Sequence, residues 1–131
     1  MIQKEKLMMN LSVLMVDDNE TIRRIQTAIV EKAGHRVRTA NSGREALQLI
    51  KQQSFDVIMM DMQMPEMDGV ATARAIRAQG INTPIIVVTG NTELADQQAC
   101  KSAGMNRFLT KPITLNSIQA VFNSLNHAQN T

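Results

Sequence analysis

Five polar residues stand immediately after short apolar runs. Asp17 and Asp18 follow Val13–Val16, Asp61 follows Val57–Met60, Thr89 follows Ile85–Val88 and Lys111 follows Arg107–Thr110. If those runs are neighbouring strands of one parallel sheet, all five gather along one edge. Three carboxylates brought that close repel one another, and each tends to hold its proton. A hard divalent cation removes the conflict. Magnesium suits, because it takes one or two carboxylates, keeps several waters and favours a phosphate oxygen as a further ligand. A carboxylate beside such a cation can act as a nucleophile and form an acyl phosphate. Phosphoryl transfer needs mainly positioning and charge neutralisation. Lys111 and the metal would neutralise oxygens, the Thr89 hydroxyl would donate, and N–H groups after Asp61 and Thr89 would complete the cradle. Each residue also has an ordinary explanation. Asp18 or Asn19 would cap the helix that follows, Asp61 would start a turn ahead of Pro65, and a lone lysine is usually a solvated charge. Their joint occurrence at consecutive strand ends is what favours chemistry.

The elements that must position them are legible as hydrophobic patterns. Ser12–Val16, Val57–Met60 and Ile85–Val88 are continuous apolar runs, the mark of strands buried on both faces. Arg36–Ala40 alternates, as a strand at an open edge or on a half-buried face would. Arg107–Thr110 reads as a fifth strand. Between them Ile22, Ile25 and Ile29 recur at helical spacing up to Ala33-Gly34, with core packing expected for Ile25 and Ile29. Ser42–Gln53 is a helix capped by Asn41 or Ser42, Val70–Gln79 one stopping at Gly80, and Glu93–Ala103 one stopping at Gly104. Leu115–Leu125 closes the chain as an amphipathic helix. Five strands alternating with five helices make an α/β fold with a parallel sheet. Right-handed crossovers leave few topologies, and ligands of such sheets bind outside the carboxyl ends of the strands.

Composition narrows the function. The 131 residues suit one domain, with residues 1–10 as a short extension, 11–126 as the domain and 127–131 as a tail. Net charge is only +2 and there are three aromatics, all phenylalanine, so a base-stacking surface for nucleic acid is not expected. Ten methionines serve as adaptable core filler. Cys100 has no partner for a disulfide and reads as an ordinary helix residue without a redox role. The N-terminus lacks the apolar core of a signal peptide, and no run approaches the ~20 apolar residues of a membrane span. A cytoplasmic protein is expected.

Taken together, VLMVDDNE, VIMMDMQMPEMDG, PIIVVTG and FLTKPI resemble the receiver domain of two-component response regulators, of the chemotaxis-regulator type, from about Leu11 to Leu125. The resemblance implies a flavodoxin-like, doubly wound five-stranded parallel sheet of order 2-1-3-4-5 with five helices. It implies that Asp61 accepts a phosphoryl group from the histidine of a kinase or phosphotransfer protein. Asp17, Asp18 and Asp61, with the backbone carbonyl of Gln63, are implied to hold Mg2+, for which Mn2+ can substitute; Asp17 acts mainly through water. Thr89 and Lys111 are implied to contact the phosphoryl oxygens, and the Lys111-Pro112 bond to be cis. Activation is implied to couple Thr89 to Phe108 and to reshape the face formed by helix 4, strand 5 and helix 5, where a downstream protein would bind. Family members often carry tyrosine at the Phe108 position, and the readout through its hydroxyl is absent here. Gln63 and Asn91 occupy positions that tune the lifetime of the phosphoryl group.

Two other functions compete. A phosphatase of the haloacid dehalogenase type also has an aspartate nucleophile after a strand, but it needs a second acid two residues on. Here that residue is Gln63, which has no acidic proton to give. Turnover of small phosphoesters is therefore not expected. A nucleotide-binding domain lacks its motifs, since neither G-x-G-x-x-G nor a P-loop is present. Within the receiver reading, the MQMPEMDG and KPIT wording resembles receivers of hybrid kinases and phosphorelays, so a free-standing regulator and a receiver cut from a hybrid kinase both stand. Ile22, Pro112 and Ile113 are expected to be exposed apolar residues against which a helical histidine donor packs, with core packing an equal alternative for Ile22.

Overall fold

The computed structural model describes residues 10–90 and 94–130, and the side chains of 10–90 and 97–125. Among the described residues five strands and five helices alternate: β1 (Ser12–Val16), α1 (Glu20–Lys32), β2 (Arg36–Ala40), α2 (Gly43–Gln52), β3 (Val57–Asp61), α3 (Gly69–Ala78), β4 (Ile85–Thr89), α4 (Leu94–Ser102), β5 (Arg107–Thr110) and α5 (Leu115–Asn130). The strands form one parallel sheet of order β2-β1-β3-β4-β5, as expected. Val16 pairs with Ala40 and Met60, Asp61 with Val88, and Thr89 with Thr110. These registers line up the carboxyl ends of the strands.

The continuous apolar runs are explained by a layer of helices on each face. Side chains alternate along a strand. Leu14, Val16, Ile58, Met60, Ile85 and Val87 point into a core shared with Ala46, Leu49, Ala73, Ile76 and Cys100 of α2, α3 and α4, and with Ala103 just after α4. Val13, Met15, Val57, Met59, Ile86 and Val88 point the other way, onto Val30 of α1 and Ile118, Val121 and Phe122 of α5. The alternating strand β2 is an edge strand, and its Arg36, Arg38 and Thr39 are exposed. Helix α5 runs to Asn130, past the Leu125 at which the apolar pattern stops. No glycine or proline follows Leu125 to end it. Among the described residues no helix is long and apolar enough to cross a membrane.

The amino ends of the strands are held by polar contacts. Arg77, near the end of α3, spends its guanidinium on the carbonyls of Ile81 (2.9 Å), Thr83 (2.8 Å) and Gly104 (2.7 and 3.1 Å), and on Asn106 Oδ1 (3.0 Å). Asn106 Oδ1 also accepts from the Ile85 N–H at 2.8 Å. Gly104 has φ +90°, and a Cβ there would meet the Arg77 side chain at 2.8 Å. Only glycine both adopts that backbone and leaves room for the guanidinium.

His35, before β2, is buried at 6% exposure. Its Nδ1 accepts from the Leu11 N–H at 3.2 Å, and its ring meets Phe122 edge-on at 4.9 Å. The accepting nitrogen must be unprotonated, and burial holds the imidazole below its ordinary pKa. The unfolded chain takes its proton near pH 6.5 and the folded one only at lower pH. Stability is therefore full above the unfolded value and is lost as pH falls below it, levelling off beneath the folded value. Urea midpoints measured from about pH 8 to about pH 5 should decline below about pH 6.5, and His35→Gln should flatten that decline. An unaltered slope in the variant would assign the titration to another group.

Candidate functional site

Asp17 leaves β1 with its backbone still paired, its N–H donating to the Ala40 carbonyl at 3.1 Å. Its Oδ1 accepts from the Asn19 N–H at 2.9 Å, and Asn19 Oδ1 in turn accepts from the Ile22 N–H at 2.9 Å. Asn19 is thus the cap of α1, and Asp18 is left exposed with no capping duty. That resolves the adjacent pair: one carboxylate is fixed and buried, the next stands at the rim. Arg23, one turn into α1, donates to the Asp17 carbonyl at 2.8 Å and ties the helix to the turn.

Asp61 is the last residue of β3 and 6% exposed. Its Oδ1 accepts from the Gln63 N–H and from Lys111 Nζ, each at 3.3 Å. Gly69, at the start of α3, lies against this strand end: a Cβ there would fall 2.6 Å from the Asp61 carbonyl and 3.0 Å from Met62 Cα. Both neighbours are backbone, so any larger residue would displace the segment that carries Asp61. Asp68 caps α3 through the Ala71 N–H at 2.8 Å, which sets the loop between Asp61 and the helix.

Lys111 completes the cluster. Its N–H donates to the Thr89 carbonyl at 2.8 Å, and the Lys111-Pro112 peptide is cis, as the resemblance implies. Its ammonium lies 3.3 Å from Asp61 Oδ1 and 3.6 Å from Asp17 Oδ2. Thr89, 3% exposed, ends β4 beside it. One carboxylate oxygen each of Asp17, Asp18 and Asp61 lies within 4.8 Å of the others. Burial pushes the Asp61 carboxyl above its ordinary pKa, and the charge of Asp17 pushes it further; Lys111 and the Gln63 N–H pull back. Asp17 Oδ2 is buried and, among the described residues, makes no hydrogen bond, having only the longer ion pair to Lys111. A hard cation satisfies such an oxygen, and the all-oxygen donor set fits magnesium.

The structure thus brings together Asp17, Asp18, Asp61, Thr89 and Lys111, with Gln63 bonded to the cluster through its backbone. Phe108 lies outside it, half-buried on β5 opposite Val87 and packed on the core of the α2–α4 layer. Asn91 lies outside the described residues. Beside the cluster a groove of about 350 Å3 runs between α1 and the Lys111-Pro112 turn, lined by Ile22, Ile25, Gln26, Ile29, Lys111, Pro112 and Ile113. Two expectations need correction here. Ile113 is not exposed: at 4% it forms part of the core, because its side chain packs into the α1–α5 layer and only floors the groove. Ile25 is not in the core: it is 56% exposed. The buried stripe of α1 runs through Gln26 and Val30, and Ile25 lies about 100° round the helix from Gln26. Arg23 and Gln26 carry no sequence signal that marks them, and Gly69, although it closes the stretch VIMMDMQMPEMDG, has no role that the sequence assigns. Their roles depend on a backbone carbonyl, a groove wall and a close approach.

The fold and site have clear relatives. The description "Response regulator receiver domain" matches residues 13–123. Over 110 residues the chain is 34% identical to the sensor histidine kinase RcsC of Escherichia coli K12, covering 84% of this chain and 12% of that protein. The chemotaxis protein CheY4 of Vibrio cholerae superposes with a TM-score of 0.78 at 34% identity, over 92% of this chain and 98% of that one. The receiver domain of the sensor histidine kinase PA1611 from Pseudomonas aeruginosa PAO1, solved with a magnesium ion coordinated in its active-site cleft, superposes with a TM-score of 0.80 at 32% identity, over 88% and 96%. Matched along nearly its whole sheet, this chain belongs to the response regulator receiver domain family.

Proposed function

We propose that this receiver accepts a phosphoryl group on Asp61 from a histidine of a kinase or phosphotransfer protein. An Asp61 carboxylate oxygen attacks phosphorus, the P–N bond to the donor imidazole breaks, and its electron pair returns to the imidazole nitrogen. Asp17, Asp18, Asp61 and the Gln63 carbonyl would hold Mg2+ or Mn2+, which supplies charge neutralisation as the phosphoryl group moves. Lys111, already 3.3 Å from Asp61, is placed to hold a phosphoryl oxygen, and Thr89 to receive another through its hydroxyl. The observation that carries this reading is the buried Asp17 Oδ2 without a hydrogen bond, in a cluster of three carboxylates faced by one ammonium. The magnesium in the PA1611 receiver supports it.

Signalling then passes from Thr89 to Phe108. Thr89 turns toward the phosphoryl group, the Phe108 ring turns inward, and the face of α4, β5 and α5 is remodelled for a downstream protein. The half-burial of Phe108, two residues from the Thr110 that pairs with Thr89, supports the coupling. A second reading, a receiver within a hybrid kinase, is favoured by the relatives. The chain spans 12% of the length of RcsC and 6% of a hybrid signal transduction histidine kinase of Dictyostelium discoideum.

Acetyl phosphate tests the reading without a protein donor. With magnesium, intact-mass analysis should show one added phosphoryl group; with a chelator it should show none. Magnesium alone should raise the melting temperature, since a ligand at a hundredfold excess over its Kd stabilises by about 2.7 kcal/mol. Labelling that ignores the metal, or a melting point that does not respond to it, would sink the assignment.

A further inference from the structure

A second groove, of about 320 Å3, lies between α1 and the edge strand β2. Thr39 of β2 stands on one side, and Arg23, Thr27, Ala28 and Glu31 of α1 stand on the other. Thr27 is two residues from Ile25, about 160° round the helix, so this face is turned away from the groove beside Lys111. Thr27 is half-buried, and its Oγ1 is fully buried with no hydrogen-bond partner among the described residues. An unpaired buried hydroxyl destabilises the fold, and a surface threonine escapes that cost by turning its hydroxyl to water. Thr27 instead keeps the hydroxyl inward, as suits a surface that another body covers. Ala28 beside it is exposed. The middle of this face is therefore made of small residues, over which a second helix can approach closely.

The charges on this face indicate what covers it. Arg24 is already paired with Glu20, at 2.8 Å. Arg23 and Glu31 make no ion pair among the described residues, and Arg23 gives only one N–H, to the Asp17 carbonyl. They stand four residues to either side of Thr27, each about 6 Å away along the helix axis. A second α1, laid antiparallel about a two-fold axis at Thr27, therefore sets its Glu31 opposite Arg23 of the first and its Arg23 opposite Glu31. The strand edge offers no such match. Antiparallel pairing of β2 with its own copy sets the exposed Arg36 and Arg38 against arginines. We propose that a second copy of this chain docks here, α1 against α1, as a two-fold dimer centred on Thr27. The contact lies at the β2 edge, across the sheet from β5, and leaves the isoleucine groove open.

Exchange of the two charges tests this. In sedimentation velocity the wild type should dimerise as its concentration rises. Arg23→Glu and Glu31→Arg, each alone, bring like charges together at both contacts. Each should weaken the dimer about tenfold per contact, or about a hundredfold. Mixed together, the two variants match opposite charges at both contacts and should associate about as tightly as the wild type. Urea denaturation checks that each variant folds. Should Arg23→Glu fail to fold for want of its bond to the Asp17 carbonyl, Thr27→Cys replaces it. Its thiol lies on the two-fold axis, and a short bismaleimide should join two chains of that variant. The wild type should stay unlinked, because its one cysteine, Cys100, is fully buried. A monomeric wild type, a dimer indifferent to Glu31→Arg, folded variants that associate no better mixed than alone, or a Thr27→Cys chain that does not cross-link would each overturn the proposal. None of these readouts passes through Asp61, so the acceptor reading stands or falls separately.

Discussion

Asp61→Asn should abolish labelling by acetyl phosphate and, in the same preparation, make the metal-free protein more stable at neutral pH. The first effect follows from chemistry: an amide oxygen is too weak a nucleophile to replace the carboxylate. The second follows from electrostatics. Burial and the neighbouring Asp17 raise the Asp61 pKa above its ordinary value. Its contribution to stability is therefore fully present below the unfolded value and is lost as pH rises through the folded value. At neutral pH the raised pKa is a cost in stability, and asparagine removes it while keeping the shape. Magnesium should narrow the difference, because it stabilises the wild-type cluster more than the variant. Intact mass and urea midpoints with and without metal measure all three quantities. Full labelling of the variant would move the acceptor to Asp17 or Asp18. A variant less stable than wild type without metal would mean that Lys111 already compensates the carboxylate.

Arg77→Ala should cost about 3–5 kcal/mol, close to the largest loss expected of any single substitution. The guanidinium answers three backbone carbonyls and Asn106 Oδ1, with distances from 2.7 to 3.1 Å. Burial lowers its pKa, and these acceptors offset part of the hydration that its charge gives up. Alanine leaves the three carbonyls without this donor and removes the packing of the stem on Gly104. Lysine should recover little, because a single ammonium cannot spread its donors across the same fork. Urea denaturation of the three proteins measures this. A loss under about 1 kcal/mol, the yield of one ordinary hydrogen bond, would show that water replaces the guanidinium.

The sheet was legible because burial on two faces demands an unbroken apolar run through β1, β3 and β4, and because polar residues at the strand ends break those runs abruptly. Asp17, Asp18, Asp61, Thr89 and Lys111 were legible for the same reason: their positions are set by where strands stop. Helix α1 was read less well. Ile25 and Ile29 suggested the buried stripe, yet the turn of the helix puts Gln26 inside and Ile25 outside. Hydropathy cannot announce a buried glutamine. Ile113 was misplaced because closeness in sequence to Lys111 says nothing about which side of the chain the core occupies. The Arg77 fork was not legible, since it joins α3 to carbonyls up to 27 residues away and carbonyls have no identity in a sequence.

The polar anchors and the reactive groups occupy opposite ends of the same five strands. Arg77, His35 and Asn106 tie down the ends where strands begin, and the carboxylates stand where strands finish. Among the described residues, none of these ties reaches a loop at the finishing end. Such a scaffold lets natural variation, or a designer, rewrite which partner is heard and how long a message lasts, while the chassis beneath keeps its tolerance for error.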